Sequence, residues 1–357
     1  MDIVTLAHGS GGLHSAELTQ QVFMPFFTKF MPYANEDSAL FVISDTSSHD
    51  CINKQAIAVT STDSYIINPP FFRGGDIGKL SVCGSSNDVA MMGAKPLFLN
   101  IAFIIEEGFS IKKLKKIANS VAIECENLGL KILAADTKVL PKISQGDSQI
   151  FINTSCIGIL QKVGISAKNL QHNDCIILSG KIGNHGATIF LEQNHISLDN
   201  HIQSDCASLY PLLEEILTGD IFIHALRDAT RGGIASVLNE WAIASEACIE
   251  IEEELVTIDT QVRGVCEILG LDPYILANEG VCVLAVAECD AKRALEILHK
   301  HSLGKDASII GRVRKDFSQL SRGHLEEIYF QRVVLQTQYQ SQRFMEYPEG
   351  EILPRIC

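Results

Sequence analysis

The sequence predicts a mixed α/β chain folded as two domains with a short tail. Three observations predict it. The chain has 357 residues, enough for two separate cores. Glycine, asparagine and aspartate turns alternate with short β-rich runs and amphipathic stretches. One polar, turn-rich segment, "QKVGISAKNLQHND" (Gln161 to Asp174), interrupts that alternation near the middle. The expected limits are 1–165 and 166–340 for the domains and 341–357 for the tail.

In the first domain, "QAIAVTST" (Gln55 to Thr62) reads as a strand ending at Asp63. A helix is expected from Ile77 to Met92, stopped by Gly93 with Lys95-Pro96 beyond. "PLFLNIAFII" then reads as a buried strand. The next helix opens at Ser110 as N-cap. Its apolar stripe is Ile111, Leu114, Ala118, Val121, Cys125 and Leu128, and Gly129 follows as the stop. "KILAAD" is a further strand ending in an acid, Asp136. The second domain begins with the strand "CIILSG", a glycine-studded turn and a helix. "RDATRGGIASVLNEWAIAS" leads into another helix, and "VCVLAVA" is a late strand. From about Ser341 the chain is polar, with Pro348 and Pro354. Proline lacks an amide donor and restricts its predecessor, so a flexible tail is expected.

Composition narrows the function classes. A net charge of −14 speaks against nucleic acid or an anionic membrane as partner, since either needs a basic patch. The densest basic run, "KKLKK" (Lys112 to Lys116), reads as the solvated face of a helix. "MDIVTLAHGSGG" has no basic segment followed by an apolar one, so no signal peptide is expected. The longest apolar stretch is too short to span a bilayer. Eleven cysteines are scattered singly with no C-x-x-C pair, a pattern of neither a zinc site nor a disulfide framework. Most lie in apolar runs and read as small core hydrophobes, which points to a reducing cytoplasm. Cys357, in "PRIC", alone lies outside any apolar pattern.

Two popular phosphate motifs fail. "RGGDIGKL" has Arg73 where a Walker loop needs its first glycine and Leu80 where it needs Ser or Thr. "GKIGNHG" lacks the G-x-G-x-x-G spacing. A distributed set of acids is more informative. Asp63 and Asp136 each end a predicted strand, Asp88 lies on the helix "CGSSNDVAMMG", and Asp37 closes "ANED". Ligands of α/β sheets collect at the carboxyl ends of strands, and several carboxylates there suit Mg²⁺ and, through it, phosphates. Taken singly, each acid reads more readily as a turn or cap residue, and the set together favours function. Lys138, two residues beyond Asp136, shares its face if the strand continues. "HGSGG" (His8 to Gly12) exposes consecutive amides to an anion. "DATRGGI" places Arg231 before two glycines at a helix start, an arrangement for an anion or a cap. "ANEG" puts Glu279 in a polar interruption before a buried strand.

Together these segments resemble the aminoimidazole ribonucleotide (AIR) synthetase, or PurM-like, superfamily, and within it the HypE family of hydrogenase maturation proteins. The resemblance rests on "LAHGSGG", "STDSYII", "GGDIGKLSVCGSSNDVAMMGAKP", "DTKV", "LRDATRGGI", "VRGVCEILGLDP", "ANEG", "SLGKDASIIG" and "PRIC", which span the chain in the family's order. "NDVAMMGAKP" marks the superfamily and "PRIC" the HypE family. The resemblance implies two PurM-like α/β domains, the first pairing across a homodimer and binding Mg-ATP. It implies that Cys357 receives a carbamoyl group from the carbamoyltransferase HypF. The S-carboxamide is then dehydrated to an S-cyanate with ATP, and the cyano group passes with the HypC–HypD complex toward the iron of [NiFe] hydrogenase. Asp63, Asp88 and Asp136 match the Mg-ATP positions, with Asp37, Gly11, Gly12 and Asn87 as further nucleotide contacts. Lys138 and Glu279 match polar residues near the nucleotide and the modified tail, and either serves as the base. Two departures stand out. Alanines precede Asp136 where glycine is often found, and Val281 and Cys282 replace a more polar continuation after "ANEG". The rival readings are a sister enzyme, such as a selenophosphate synthetase or a thiamine-phosphate kinase, and a passive carrier whose tail ferries a group. The first sister would want a reactive cysteine in "HGSGG", which has none.

Overall fold

A computed structural model describes residues 12–23, 39–43, 56–196, 201–316, 329–339 and 341–348. The expected sites Gly11, Asp37 and Cys357 lie outside the described residues. After the helix α1 (Gly12–Leu18), the first domain is a five-stranded sheet. Its strands are β1 (Ala39–Ile43), β2 (Ala56–Tyr65), β5 (Ala94–Glu106), β6 (Lys131–Leu140) and β7 (Ile150–Leu160), in the order β1-β2-β7-β5-β6. All pairs are antiparallel except β5 with β6. Two helices, α2 (Ile77–Met91) and α3 (Ile111–Leu128), cover one face. Alternation decides which residues they cover. Ile150, Ile152, Thr154 and Cys156 of β7 are buried, while Phe151, Asn153 and Ser155 between them are only half-buried.

The strands run past the acids thought to end them. Asp63 sits two residues inside β2, and β6 continues four residues beyond Asp136. β5 is buried on alternate residues rather than throughout, because its other face is open. "RGGDIGKL" is a hairpin and a cap. The ribbon β3 (Phe71–Phe72) and β4 (Gly75–Asp76) turns at Arg73-Gly74, and the Asp76 carboxylate accepts from Gly78 N and Lys79 N at the start of α2. Ser110 caps α3 and Gly129 ends it in the left-handed conformation, as the sequence predicts.

The second domain is a seven-stranded sheet. It comprises β8 (Cys175–Leu178), β9 (Ile223–Asp228), β10 (Cys248–Glu252), β11 (Cys282–Val286), β12 (Ser308–Arg314), β13 (Val333–Gln336) and β14 (Gln342–Phe344). Their order is β14-β13-β10-β12-β8-β11-β9. Helices α4 (Asn184–Gln193), α5 (Tyr210–Thr218), α6 (Gly233–Ala244), α7 (Thr260–Leu269) and α8 (Glu288–Lys300) accompany it. The central strands β8 and β11 are buried at every residue because both faces are covered. Ile176, Leu178, Val283 and Ala285 face a core built on Trp241 of α6. Cys175, Ile177, Cys282 and Leu284 face one built on α5 and α8.

α2 lies between the domains. It packs on β2, β5 and β7 of its own sheet and on α5 and β9 of the other domain. Ala90 and Met91 enter the second domain's core. This explains why "SVCGSSNDVAMM" has no solvated stripe. Residues expected as tail also belong to the second sheet. β14 pairs antiparallel with β13, Met345 is buried, and Asn239 Nδ2 holds its carbonyl at 2.9 Å. Beyond Pro348, the nine residues to Cys357 span at most about 30 Å when extended, half the reach of a leash starting at Ser341.

Candidate active site

Asp63 of β2 and Asp88 of α2 stand where that strand faces that helix. Ser61, Asp63 and Tyr65 alternate onto the face of β2 that looks at α2. Ser61 Oγ donates to Asp88 Oδ2 at 2.5 Å, and the Tyr65 hydroxyl donates to Asp63 Oδ2 at 3.3 Å. On the neighbouring strand, Thr154 donates to the Ser81 carbonyl of α2 at 3.0 Å, which fixes the helix against this face. The second domain contributes Arg231, whose Nη2 lies 3.1 Å from Asp63 Oδ1.

Asp136 stands elsewhere. Its sheet row runs Ser64, Asn153, Ala102, Asp136, and Asn153 Nδ2 donates to Ser64 Oγ at 3.0 Å on the face opposite α2. Asp136 is therefore on the open face, and one protomer does not bring together the expected metal set of Asp63, Asp88 and Asp136. Among the described residues no group of three acids, histidines or cysteines could hold a metal ion. Lys138 does share the face of Asp136, with Nζ 3.2 Å from its carboxylate. That hydrogen bond, then the Thr137 amide, holds the Asp136 carboxyl below its usual range.

Asn87, expected as a nucleotide contact, is engaged by the second domain. Its side chain is buried and spent on the domain junction. Oδ1 accepts from Leu209 N at 2.7 Å, and Nδ2 donates to the carbonyls of Ala207 at 3.0 Å and Glu279 at 3.4 Å. The segment "ANEG" is wired in the same way. Asn278 Oδ1 accepts from Gly183 N at 2.6 Å, and its Nδ2 donates to Ala229 O and Leu276 O. The Glu279 carbonyl accepts from Ala207 N at 3.3 Å, and Gly280 N donates to Asp205 Oδ2 at 3.1 Å. Glu279 itself is 2% exposed. Burial pushes the Asp205 carboxyl up to about 6 against the pull of the backbone amides it accepts from.

"GKIGNHG" opens α4 rather than cradling a phosphate. Gly183 is its N-cap in the left-handed conformation, and His185 is buried with Nδ1 2.7 Å from Ser204 Oγ. Gly12 opens α1. Of the nine described cysteines eight are buried, as apolar runs predict. Cys289, in "AECDAK", is exposed.

Sequence reasoning missed Ser61, Asp205 and the pairing of Arg231 with Asp63. Ser61 carried a signal, lying two residues before Asp63 on a strand and thus on its face. Asp205 carried none, since only burial distinguishes it from the polar run around it.

The chain matches two family models. Residues 36–160 match the AIR synthase related protein N-terminal domain and residues 171–320 its C-terminal domain. It is 39% identical, over 360 aligned residues and the full length of both proteins, to carbamoyl dehydratase HypE of Escherichia coli K12. A crystal structure of a HypE–HypF complex contains a chain 41% identical, with a TM-score of 0.80, covering 93% of this chain and 99% of that one. A HypE crystallised with ATP is 36% identical, with a TM-score of 0.77, covering 99% and 100%. Two α/β domains joined through α2 and full-length similarity to carbamoyl dehydratases place this chain in the HypE family of AIR synthase related proteins.

Proposed function

We propose that the chain dehydrates an S-carboxamide on Cys357 to an S-cyanate with ATP, supplying the cyanide ligand of [NiFe] hydrogenase iron in the cytoplasm. The observation that carries this reading is the convergence on one junction of the Asp63–Asp88 cleft, Arg231 and the wired loop of Glu279. Asp63, Asp88 and Ser61 offer only oxygen donors, the chemistry Mg²⁺ takes, and they would hold it. When bound, the ion offsets charge on the nucleotide phosphates.

Hydroxide is a poor leaving group, so the amide oxygen must first be converted. That oxygen attacks the γ-phosphorus of ATP, forming a C–O–P link as the bond to the β-phosphate oxygen breaks and ADP leaves. The C–O bond then breaks with its electron pair going to phosphate. The two nitrogen protons are lost to a base, and the nitrile remains on sulfur. Glu279, or Lys138 as the neutral amine, takes a proton. The reading requires Cys357 to reach the junction, and the nine residues beyond Pro348 can span at most about 30 Å when extended.

The position of Asp136 and Lys138 bears on the assembly. They stand together on the open face of β6, an edge strand whose residues from Lys131 to Val139 are all exposed. We assign this face to a homodimer in which Asp136 and Lys138 of one protomer complete the site of its partner. HypF as carbamoyl donor and HypC–HypD as cyanide acceptor are the partners this reading requires.

The test is mass spectrometry of the peptide containing Cys357 after carbamoylation and ATP addition. The expected result is a peptide lighter by one water. ATP turnover without that loss would favour a passive carrier. Asp88→Asn is expected to stop the dehydration, and unaltered dehydration in that variant would remove Asp88 from the site.

A further inference from the structure

Arg231 has no part in the reaction as written above, yet its setting is built. Gly232 and Gly233 follow it, both left-handed with φ of +69° and +59°. A Cβ on Gly233 would fall 2.4 Å from Tyr274 O and 2.6 Å from Leu276 O, so this turn lies hard against the chain leading into "ANEG". Ala235 N donates to Tyr274 O at 3.0 Å and Ala229 N to Val281 O at 3.1 Å. The turn is thus clamped to the loop that carries Glu279. From this fixed base the Arg231 side chain, 64% exposed, crosses the junction to a carboxylate only 18% exposed.

Both oxygens of Asp63 accept from protein donors, Arg231 on one and the Tyr65 hydroxyl on the other. A divalent cation taking Asp63 competes for the same lone pairs and repels a guanidinium at contact distance. The guanidinium side of the pair is open to solvent, which lowers the cost of the exchange. The displaced guanidinium stays at the mouth of the cleft, and its planar fork of donors suits a phosphate.

We propose that Arg231 is a phosphate-binding residue that neutralises Asp63 in the metal-free cleft and exchanges it for the terminal phosphate of ATP when the metal binds. The proposal rests on the assignment of Asp63 to the metal made above.

The test uses the full-length chain and binding rather than turnover. Mn²⁺ alone is titrated by electron paramagnetic resonance, and ATP and ADP by calorimetry with Mg²⁺ present. Arg231→Ala is expected to bind Mn²⁺ up to about fivefold more tightly, because the carboxylate has lost its competitor. It is expected to bind ATP about ten- to a hundredfold more weakly and ADP within about twofold of the native chain. Arg231→Lys should recover part of the ATP affinity. ATP and ADP affected alike, or Mn²⁺ bound no more tightly, overturns the proposal. Asp63→Asn separates the two assignments. If it binds Mn²⁺ as the native chain does, the metal assignment fails and the proposal falls with it. If it loses Mn²⁺ while Arg231→Ala treats ATP and ADP alike, the metal assignment stands and only the role of Arg231 falls.

Discussion

The side-chain amide of Asn87, on the helix between the domains, donates to the backbone carbonyl of Glu279, 192 residues away, at 3.4 Å. The residue after Asn87 is Asp88, which faces the Ser61–Asp63 side of the cleft. One turn of helix therefore holds the proposed metal-binding acid and the loop of the candidate base in one frame. Asn87→Ala leaves Leu209 N without its buried acceptor and Ala207 O without its donor. Each lost partner costs about 1–3 kcal/mol. Urea unfolding is expected to show a loss of at least about 2 kcal/mol. A variant of native stability with weakened ATP binding would show that Asn87 touches the nucleotide instead.

Gly280 lies where the Glu279 loop passes closest to the segment carrying Asp205. A Cβ there would fall 1.9 Å from Asp205 O, a backbone atom that cannot swing away. Gly280→Ala must push the loop off the junction. It is expected to destabilise the chain by about 1–3 kcal/mol and to slow dehydration far more than ATP binding. Equal losses in both would place the damage in the nucleotide cleft instead.

Glu106, 3% exposed at the end of β5, organises the loop that follows β6. Its Oε1 accepts from Ile143 N and Ser144 N, and its Oε2 from Ser144 Oγ and Gln149 N. The Ser144 hydroxyl first, then the Gln149 amide, hold the carboxyl down to about 2 from an ordinary 4.5. Between those values the folded chain binds fewer protons than the unfolded one. The stabilisation is therefore complete above about 4.5 and lost as pH falls toward 2. Hydrogen-exchange protection in residues 143–149, taken relative to the intrinsic rate at each pH, should hold at pH 5 and fall progressively below about 4. Glu106→Gln should lower it already at neutral pH, because either amide orientation sets a donor against a donor. Slow exchange in that variant would mean that the loop is held by other contacts.

Much of the fold was legible because its signals are local. The cap Ser110, the stop Gly129 and the stripe of α3 follow from spacing alone. The site was legible as residue types in the family's order and less so as geometry. Asp63 and Asp136 look equivalent in sequence, each an acid after a β-rich run. One faces α2 and the other the open side, and this depends on sheet order and register. Asn87 was expected at the nucleotide because the family resemblance implies it. It lies on a helix buried on both sides, where the second domain satisfies its amide. The exposed Cys289 was missed because it opens α8, and one residue at a helix start shows no periodicity.

Thiol chemistry read peptide by peptide can follow Cys357, and among the described cysteines Cys289 is the exposed one to remove first. Burial pushes the Cys125 and Cys266 thiols up to about 11 and those of Cys156, Cys248 and Cys282 up to about 12. At pH 7.5 such thiols are thiolate at roughly 0.1% or less, against several per cent for an ordinary cysteine. Buried side chains also exclude the reagent. Iodoacetamide on the native chain is therefore expected to modify Cys289 and to leave these five at least about a hundredfold slower. Cys289 lies exposed in the first turn of α8, so Cys289→Ser should retain dehydration and let alkylation of the tail peptide report when Cys357 is carbamoylated. Peptide mapping with and without ATP reads both outcomes. Alkylation of Cys156 or Cys282 at the rate of Cys289 would show that the cores open far more readily than their packing allows. Loss of dehydration in Cys289→Ser would put α8 in the path of the tail.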